Sequence, residues 1–214
     1  MLGVQRFVFN CFHENTYLIW DDQTRMAAVI DPGMYEEAEQ NVFNKFVQTN
    51  ELKLTSCVIT HCHIDHVLGI PFIKNEYNVP VLIPQKEMPL LEMLEQQAAL
   101  FGLKISEKVV PDEFITENTK LELGSISGKY LSTPGHTVDE YCIYFDNERI
   151  LFSGDVLFQQ SIGRTDLWGG DQEILLQSIK TKLYSLPDDV KVYPGHESAT
   201  TIGFEKKNNP YVAV

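Results

Sequence analysis

The chain has 214 residues, 43% of them hydrophobic and 22% charged, an ordinary globular balance and enough length for one domain with a sizeable core. Disorder, which requires far fewer apolar residues, is excluded. The formal net charge is −13 and the longest basic run is Lys206-Lys207, which excludes a nucleic-acid surface built on clustered Lys and Arg and leaves a small molecule as the expected partner.

In chain order, residues 4–9, 15–21 and 26–31 are β-branched or aromatic runs between polar breaks, and they read as strands in hairpin-like succession. Asp31-Pro32-Gly33 stops that sheet. Across 35–50, Ala38, Val42 and Phe46, flanked by Phe43 and Val47, recur at helical spacing. Residues 54–60 read as a buried strand, 67–77 as a helix and 79–83 as a short strand. A second amphipathic helix is expected over 85–101, with Leu91, Leu94, Ala98 and Phe101 on one face. Further strands are expected at 120–123, 128–132, 141–145, 150–152 and 190–193. Helices are expected at 171–184 and at 201–208, the latter ending before Pro210.

No linker or repeat interrupts this order, so one α/β domain spanning 1–214 is expected, with two sheets sandwiched between helices. The N-terminal residues lack a basic stretch followed by a long apolar one, and no apolar run reaches membrane-spanning length. Four cysteines at no paired spacing read as reduced thiols, so a cytoplasmic protein with no membrane association is expected.

The chemistry concentrates in Thr60-His61-Cys62-His63-Ile64-Asp65-His66, directly after a buried strand. Alternation on an extended segment sends His61 and His63 to the same side. Imidazole nitrogens with carboxylate oxygens suit zinc, iron or manganese. His136 in Thr133-Pro134-Gly135-His136, Asp155 in Ser153-Gly154-Asp155 and His196 in Tyr193-Pro194-Gly195-His196 each follow a strand. Proline and glycine set a tight turn that presents the next side chain at the strand's end. Only six histidines exist; the sixth, His13, sits in an early loop and reads as a surface residue. Cys62 alternates away from its neighbours and reads as structural. Arg164 and Asp166 are within reach of substrate or of each other. Tyr141 and Tyr144 read as packing residues, as do Met88 and Met93.

The His-x-His-x-Asp-His run, Pro-Gly-His136, Gly-Asp155 and Pro-Gly-His196, in that order, resemble the metallo-β-lactamase superfamily. That resemblance implies a four-layered αββα sandwich with two metals. It assigns His61, His63 and His136 to one ion, Asp65, His66 and His196 to the other, and Asp155 to both. The expected cofactor is therefore two divalent ions, zinc first, with iron or manganese as alternatives.

Gly154-Asp155-Val156-Leu157-Phe158 and Ser161-Ile162-Gly163-Arg164-Thr165-Asp166 are similar to glyoxalase II-like hydrolases, of the short single-domain type, since the sequence runs only eighteen residues past His196. The implied reaction is hydrolysis of a small thioester such as S-lactoylglutathione by a metal-bridging hydroxide, oriented by Asp65 as catalytic residue. The alternatives are a mononuclear iron persulfide dioxygenase-like oxidoreductase and a lactone or other ester hydrolase of the same fold. Oligomeric state is left open.

Overall fold

The N-terminal runs pair in the order their turns dictate. The structure, a computed structural model, describes residues 1–105 and 107–212. β1 (Leu2–Phe9), β2 (Glu14–Asp21) and β3 (Met26–Ile30) form an antiparallel meander. Antiparallel neighbours need only a tight link, whereas parallel ones need a crossover. Each of the next three strands accordingly follows helix. α1 (Glu37–Thr49) leads into β4 (Lys53–Val58), and α2 (Ile64–Val67) with α3 (Ile70–Tyr77) into β5 (Val81–Pro84). A 3-10 turn (Gln85–Glu87), α4 (Met88–Glu92) and α5 (Leu94–Leu100) precede β6 (Glu113–Ile115). The sheet runs β1-β2-β3-β4-β5-β6, parallel from β3 onward.

The chain divides into two compact units, Met1–Ile115 with Glu122–Ile126, and Thr116–Leu121 with Ser127 onward. The core of the first gathers Leu18, Val29, Phe43, Cys57, Ile59, Cys62, Val67, Ile70, Val81 and Ile83, all buried.

A second sheet has the order β14-β13-β10-β9-β8-β7. Its strands are β7 (Lys120–Leu123), β8 (Ile126–Ser132), β9 (Tyr141–Phe145), β10 (Ile150–Gly154), β13 (Lys191–Pro194) and β14 (Thr200–Thr201). Between β10 and β13 lie a small hairpin, β11 (Leu157–Phe158) with β12 (Ser161–Ile162), then α6 (Gln172–Ser178) and a π turn (Ile179–Leu183). That crossover makes β10 and β13 parallel. α7 (Ile202–Asn208) follows β14. The core of this unit holds Cys142, Tyr144, Leu151, Val156, Leu175, Ile179, Leu183 and Val192. Among the described residues no helix is long and apolar enough to cross a membrane.

Several expected elements are redrawn. The helix expected over 85–101 is broken at Met93, and its expected face stops at Ala98. Phe101 lies beyond the last helical turn, is 55% exposed, and meets Phe12 edge-on at 4.8 Å. The helix expected over 67–77 starts earlier, at Ile64, and is interrupted where the Gly69 N–H bonds to the Pro32 carbonyl at 2.7 Å. In α1 the buried pair is Phe43 and Val47, while Val42 faces solvent. The helix expected over 171–184 loosens into the π turn after Ser178.

Asp21, at the end of β2, closes the first unit onto its returning segment. Its carboxylate accepts the Gln23 N–H and the Ser125 N–H, each at 3.0 Å, and the Ser125 hydroxyl at 3.0 Å. These bonds pull its pKa down to about 2. A depressed carboxylate stabilises the fold at any pH above its unfolded value near 4, and that stabilisation disappears as pH falls through about 2. Asp21→Asn should therefore lower the melting temperature at pH 7, and the gap from wild type should close between about pH 4 and 2 in a pH series of thermal melts.

Candidate metal centre

Parallel pairing of β3 with β4 sets Asp31 beside Thr60, each just past its strand. The Asp31 carboxylate accepts the Thr60 N–H and the Thr60 hydroxyl, both at 2.7 Å, so it holds the chain where the histidine-rich turn begins. Its Oδ2 also lies 3.1 Å from His66 Nδ1. The two face each other as an electrostatic contact, outside the alignment of a hydrogen bond. Hydrogen bonding does fix His61. Thr60 gives its single hydroxyl proton to Asp31, so its oxygen accepts from His61 Nδ1 at 3.1 Å.

His61 Nε2 then lies 3.1 Å from His63 Nδ1, close to the roughly 3.3 Å between two nitrogens on one tetrahedral zinc with bonds of about 2.0–2.1 Å. His66 Nε2 is 3.6 Å from Asp65 Oδ2. His61 with His66, and Asp65 with His66, also offer donor atoms within 4.8 Å of each other. His61 and His66 are fully buried and Asp65 is nearly so. Three imidazoles and a carboxylate gathered with little water around them fit a cation better than any salt bridge among themselves. The donor set fits a metal.

A polar floor supports this turn. Asn10, in a left-handed conformation at φ 51°, donates from Nδ2 to the Gly33 and Asp65 carbonyls, each at 3.0 Å. A Cβ at Gly33 would strike Glu14 Oε2, Asn10 Nδ2 and the Asp65 carbonyl, so only glycine fits there. Glu14 is fully buried, and burial pushes its carboxyl well above the usual range. The Thr16 hydroxyl lies 2.8 Å from Glu14 Oε2 and 2.9 Å from the Asp31 carbonyl, with one proton for the two. The hydroxyl proton is shared between these two acceptors, while the hydroxyl oxygen accepts the Gly33 N–H at 2.8 Å.

The second unit gathers the other three residues. His136 Nδ1 lies 2.7 Å from the Arg164 carbonyl, which can only accept. Its Nε2 lone pair is thereby turned to Asp155 Oδ2, 3.6 Å away. His196 Nε2 lies 3.6 Å from the same oxygen. One carboxylate oxygen thus faces two imidazoles. Three hydrogen bonds hold the arrangement: Asp155 N–H to Glu140 Oε1 at 2.7 Å, Gly195 N–H to the Gly154 carbonyl at 2.7 Å, and Gly135 N–H to the Thr137 carbonyl at 2.9 Å. A Cβ at Gly163 would collide with the Asp155 carbonyl, which explains glycine at the end of the β11–β12 hairpin.

Every ligand residue named from the sequence falls into one of these clusters: His61, His63, Asp65 and His66 in the first, and His136, Asp155 and His196 in the second. His13 is exposed and lies outside both. Cys62 is buried in the first core, and all four cysteines are unbridged. Arg164 grips Asp166 through two bonds of 2.7 and 2.8 Å, which lower the Asp166 pKa to about 2. Tyr141 and Tyr144 are buried, Met88 packs against the first core, and Met93 is partly exposed. Sequence reasoning missed Asn10, Asp31, Thr60 and Glu140, which orient the ligands rather than supply them. Asp31 had a usable signal, an acid at a strand end before Pro-Gly; Asn10 and Glu140 had none.

Comparison with known proteins gives the family of the chain. The sequence profile of the Metallo-beta-lactamase superfamily matches residues 10–196, a span that runs through both units. The chain is similar to hydroxyacylglutathione hydrolase GloC of Haemophilus influenzae, 38% identical over 99% of this chain and 98% of that one. Among solved structures it resembles BLEG-1 B3 metallo-beta-lactamase, with TM-score 0.90 and 32% identity over 99% of this chain and 100% of that one. It also resembles TTHA1623 in a di-iron-bound form, with TM-score 0.86 and 32% identity over 98% and 100%. The chain belongs to the metallo-β-lactamase superfamily, carries its α/β fold, and falls among its metallo-hydrolases.

Proposed function

We propose that the chain is a dinuclear hydrolase of small thioesters, of the hydroxyacylglutathione type, acting in the cytoplasm as one domain over 1–214. In this reading His61, His63 and His136 hold one divalent ion, and Asp65, His66 and His196 hold a second. Asp155, one of whose oxygens faces two imidazoles, serves both. The observation that carries the proposal is the preset state of the donors. His61 and His136 each have Nδ1 hydrogen-bonded to a fixed oxygen, which leaves Nε2 as the lone pair. The likeness to hydroxyacylglutathione hydrolase supports the thioester substrate. Zinc is the first choice of metal; the di-iron form of TTHA1623 makes iron the next, ahead of manganese.

Divalent ions bound to such donors supply a Lewis acid for a carbonyl and bring the pKa of water from 15.7 towards about 7. The protein's share is orientation and charge. Asp65, at the start of α2, accepts a hydrogen bond from the attacking water and directs its lone pair at the acyl carbon. The Arg164–Asp166 pair stiffens the loop whose carbonyl fixes the His136 tautomer. No thiol nucleophile is needed, and Cys62 is unsuited to the role because burial pushes its thiol far above the ordinary range.

Metal analysis of protein purified without chelator should find about two ions per chain. One iron per chain would move the reading to the persulfide dioxygenase class. Asp155→Ala should cut hydrolysis by at least about a hundredfold, more than losing an outer partner of a ligand costs. Cys62→Ser should keep most activity, and near-complete loss at unchanged metal content would contradict its structural role.

Substrate class is decided by steady-state rates on S-lactoylglutathione, a lactone and a β-lactam. The thioester should be cleaved with the highest kcat/KM. Preference for the β-lactam, the substrate class of the enzyme named in the BLEG-1 structure, would overturn the thioesterase assignment and leave the metallo-hydrolase.

A further inference from the structure

The turn that carries His61, His63, Asp65 and His66 is gripped from outside by two residues of the 85–100 segment. α2 is a single turn and begins at His63 with no side-chain cap of its own. An uncapped helix start leaves backbone N–H groups without partners. Gln97, on α5, fills that role from another helix: its Oε1 accepts the Ile64 N–H at 3.1 Å. Its Nε2 donates to the Cys62 carbonyl at 3.4 Å and to the Leu90 carbonyl at 2.9 Å. Those three partners permit only one orientation of the carboxamide, because the N–H needs an acceptor and the two carbonyls need a donor. From the 3-10 turn, Glu87, fully buried, accepts the Cys62 N–H at 3.0 Å. Three backbone polar groups flanking His63 are therefore held by two side chains, while the Cys62 side chain is anchored in the core.

We propose that Gln97 and Glu87 are positioning residues for metal binding, which fix the backbone from Cys62 to Ile64 so that the imidazoles are in place before an ion arrives. This rests on the metal-centre reading above. Ligand geometry held in advance saves the ordering entropy that binding would otherwise cost, and outer partners of metal ligands typically tune affinity by about 10–100-fold.

The test is a zinc titration of metal-free protein against a chromophoric chelator, with far-UV circular dichroism and a thermal melt of each metal-free variant. Gln97→Leu and Glu87→Leu should weaken zinc binding about tenfold or more at unchanged helical content. Glu87→Gln, which keeps an oxygen to accept the Cys62 N–H, should restore affinity to within about threefold of wild type. Should Glu87→Leu fail to fold, Gln97→Leu decides, because that residue is only partly buried. A Gln97→Leu protein that melts lower yet binds zinc like wild type would overturn the proposal and leave a merely structural bond. Glu87→Gln as weak as Glu87→Leu would overturn the hydrogen-bond role of Glu87. Wild type that binds no zinc at all would instead overturn the metal reading itself.

Discussion

An imidazole can offer a metal only the nitrogen that its surroundings leave unprotonated, and here oxygen atoms of the fold make that choice. The Thr60 hydroxyl faces Nδ1 of His61, and the Arg164 carbonyl faces Nδ1 of His136. Each contact spends the ring's one neutral-state proton on a fixed acceptor and leaves Nε2 as a lone pair. The neighbouring architecture makes sense as the means of keeping those two oxygens still. Parallel strands bring Asp31 and Thr60 together, and the bond of Gly195 to Gly154 ties two strand ends in the second unit.

The supporting groups are costly ones to bury, which is informative in itself. Glu14, Asp31, Glu87 and Glu140 are almost entirely removed from solvent, and a buried carboxyl is unfavourable unless its oxygens are satisfied. Asp31, Glu87 and Glu140 are spent on backbone N–H groups at the ligand-bearing turns. Glu14 follows another route: burial raises its pKa, and it accepts from the Thr16 hydroxyl beneath the same turn. A sheet protein with no site to hold would gain by replacing these groups with apolar ones.

The sequence made the candidate ligands legible because their chemistry is rare and their spacing local. His61 to His66 lie within one turn, and each later ligand follows Gly at a strand end. Strands written as short apolar runs were legible too, among them β9 over Tyr141–Phe145, buried throughout. What escaped was set by tertiary contact. No window of residues announces that Gln97 caps α2, or that Asn10 reaches the Asp65 carbonyl from a left-handed loop. The long helix expected over 85–101 failed for a local reason, since Met93 leaves helical geometry between α4 and α5. Two-residue strands such as β11 and β14 are too short for any periodic signal.

The account stands or falls on the tautomers of His61 and His136. Long-range proton–nitrogen correlation spectra of metal-free, nitrogen-15-labelled protein at about pH 8.5, above the ordinary imidazole pKa, report which ring nitrogen carries the proton. The prediction is the Nδ1–H form for both. The Nε2–H form at either of them would place the proton on the donor nitrogen itself and contradict a site whose ligands are set before the metal binds.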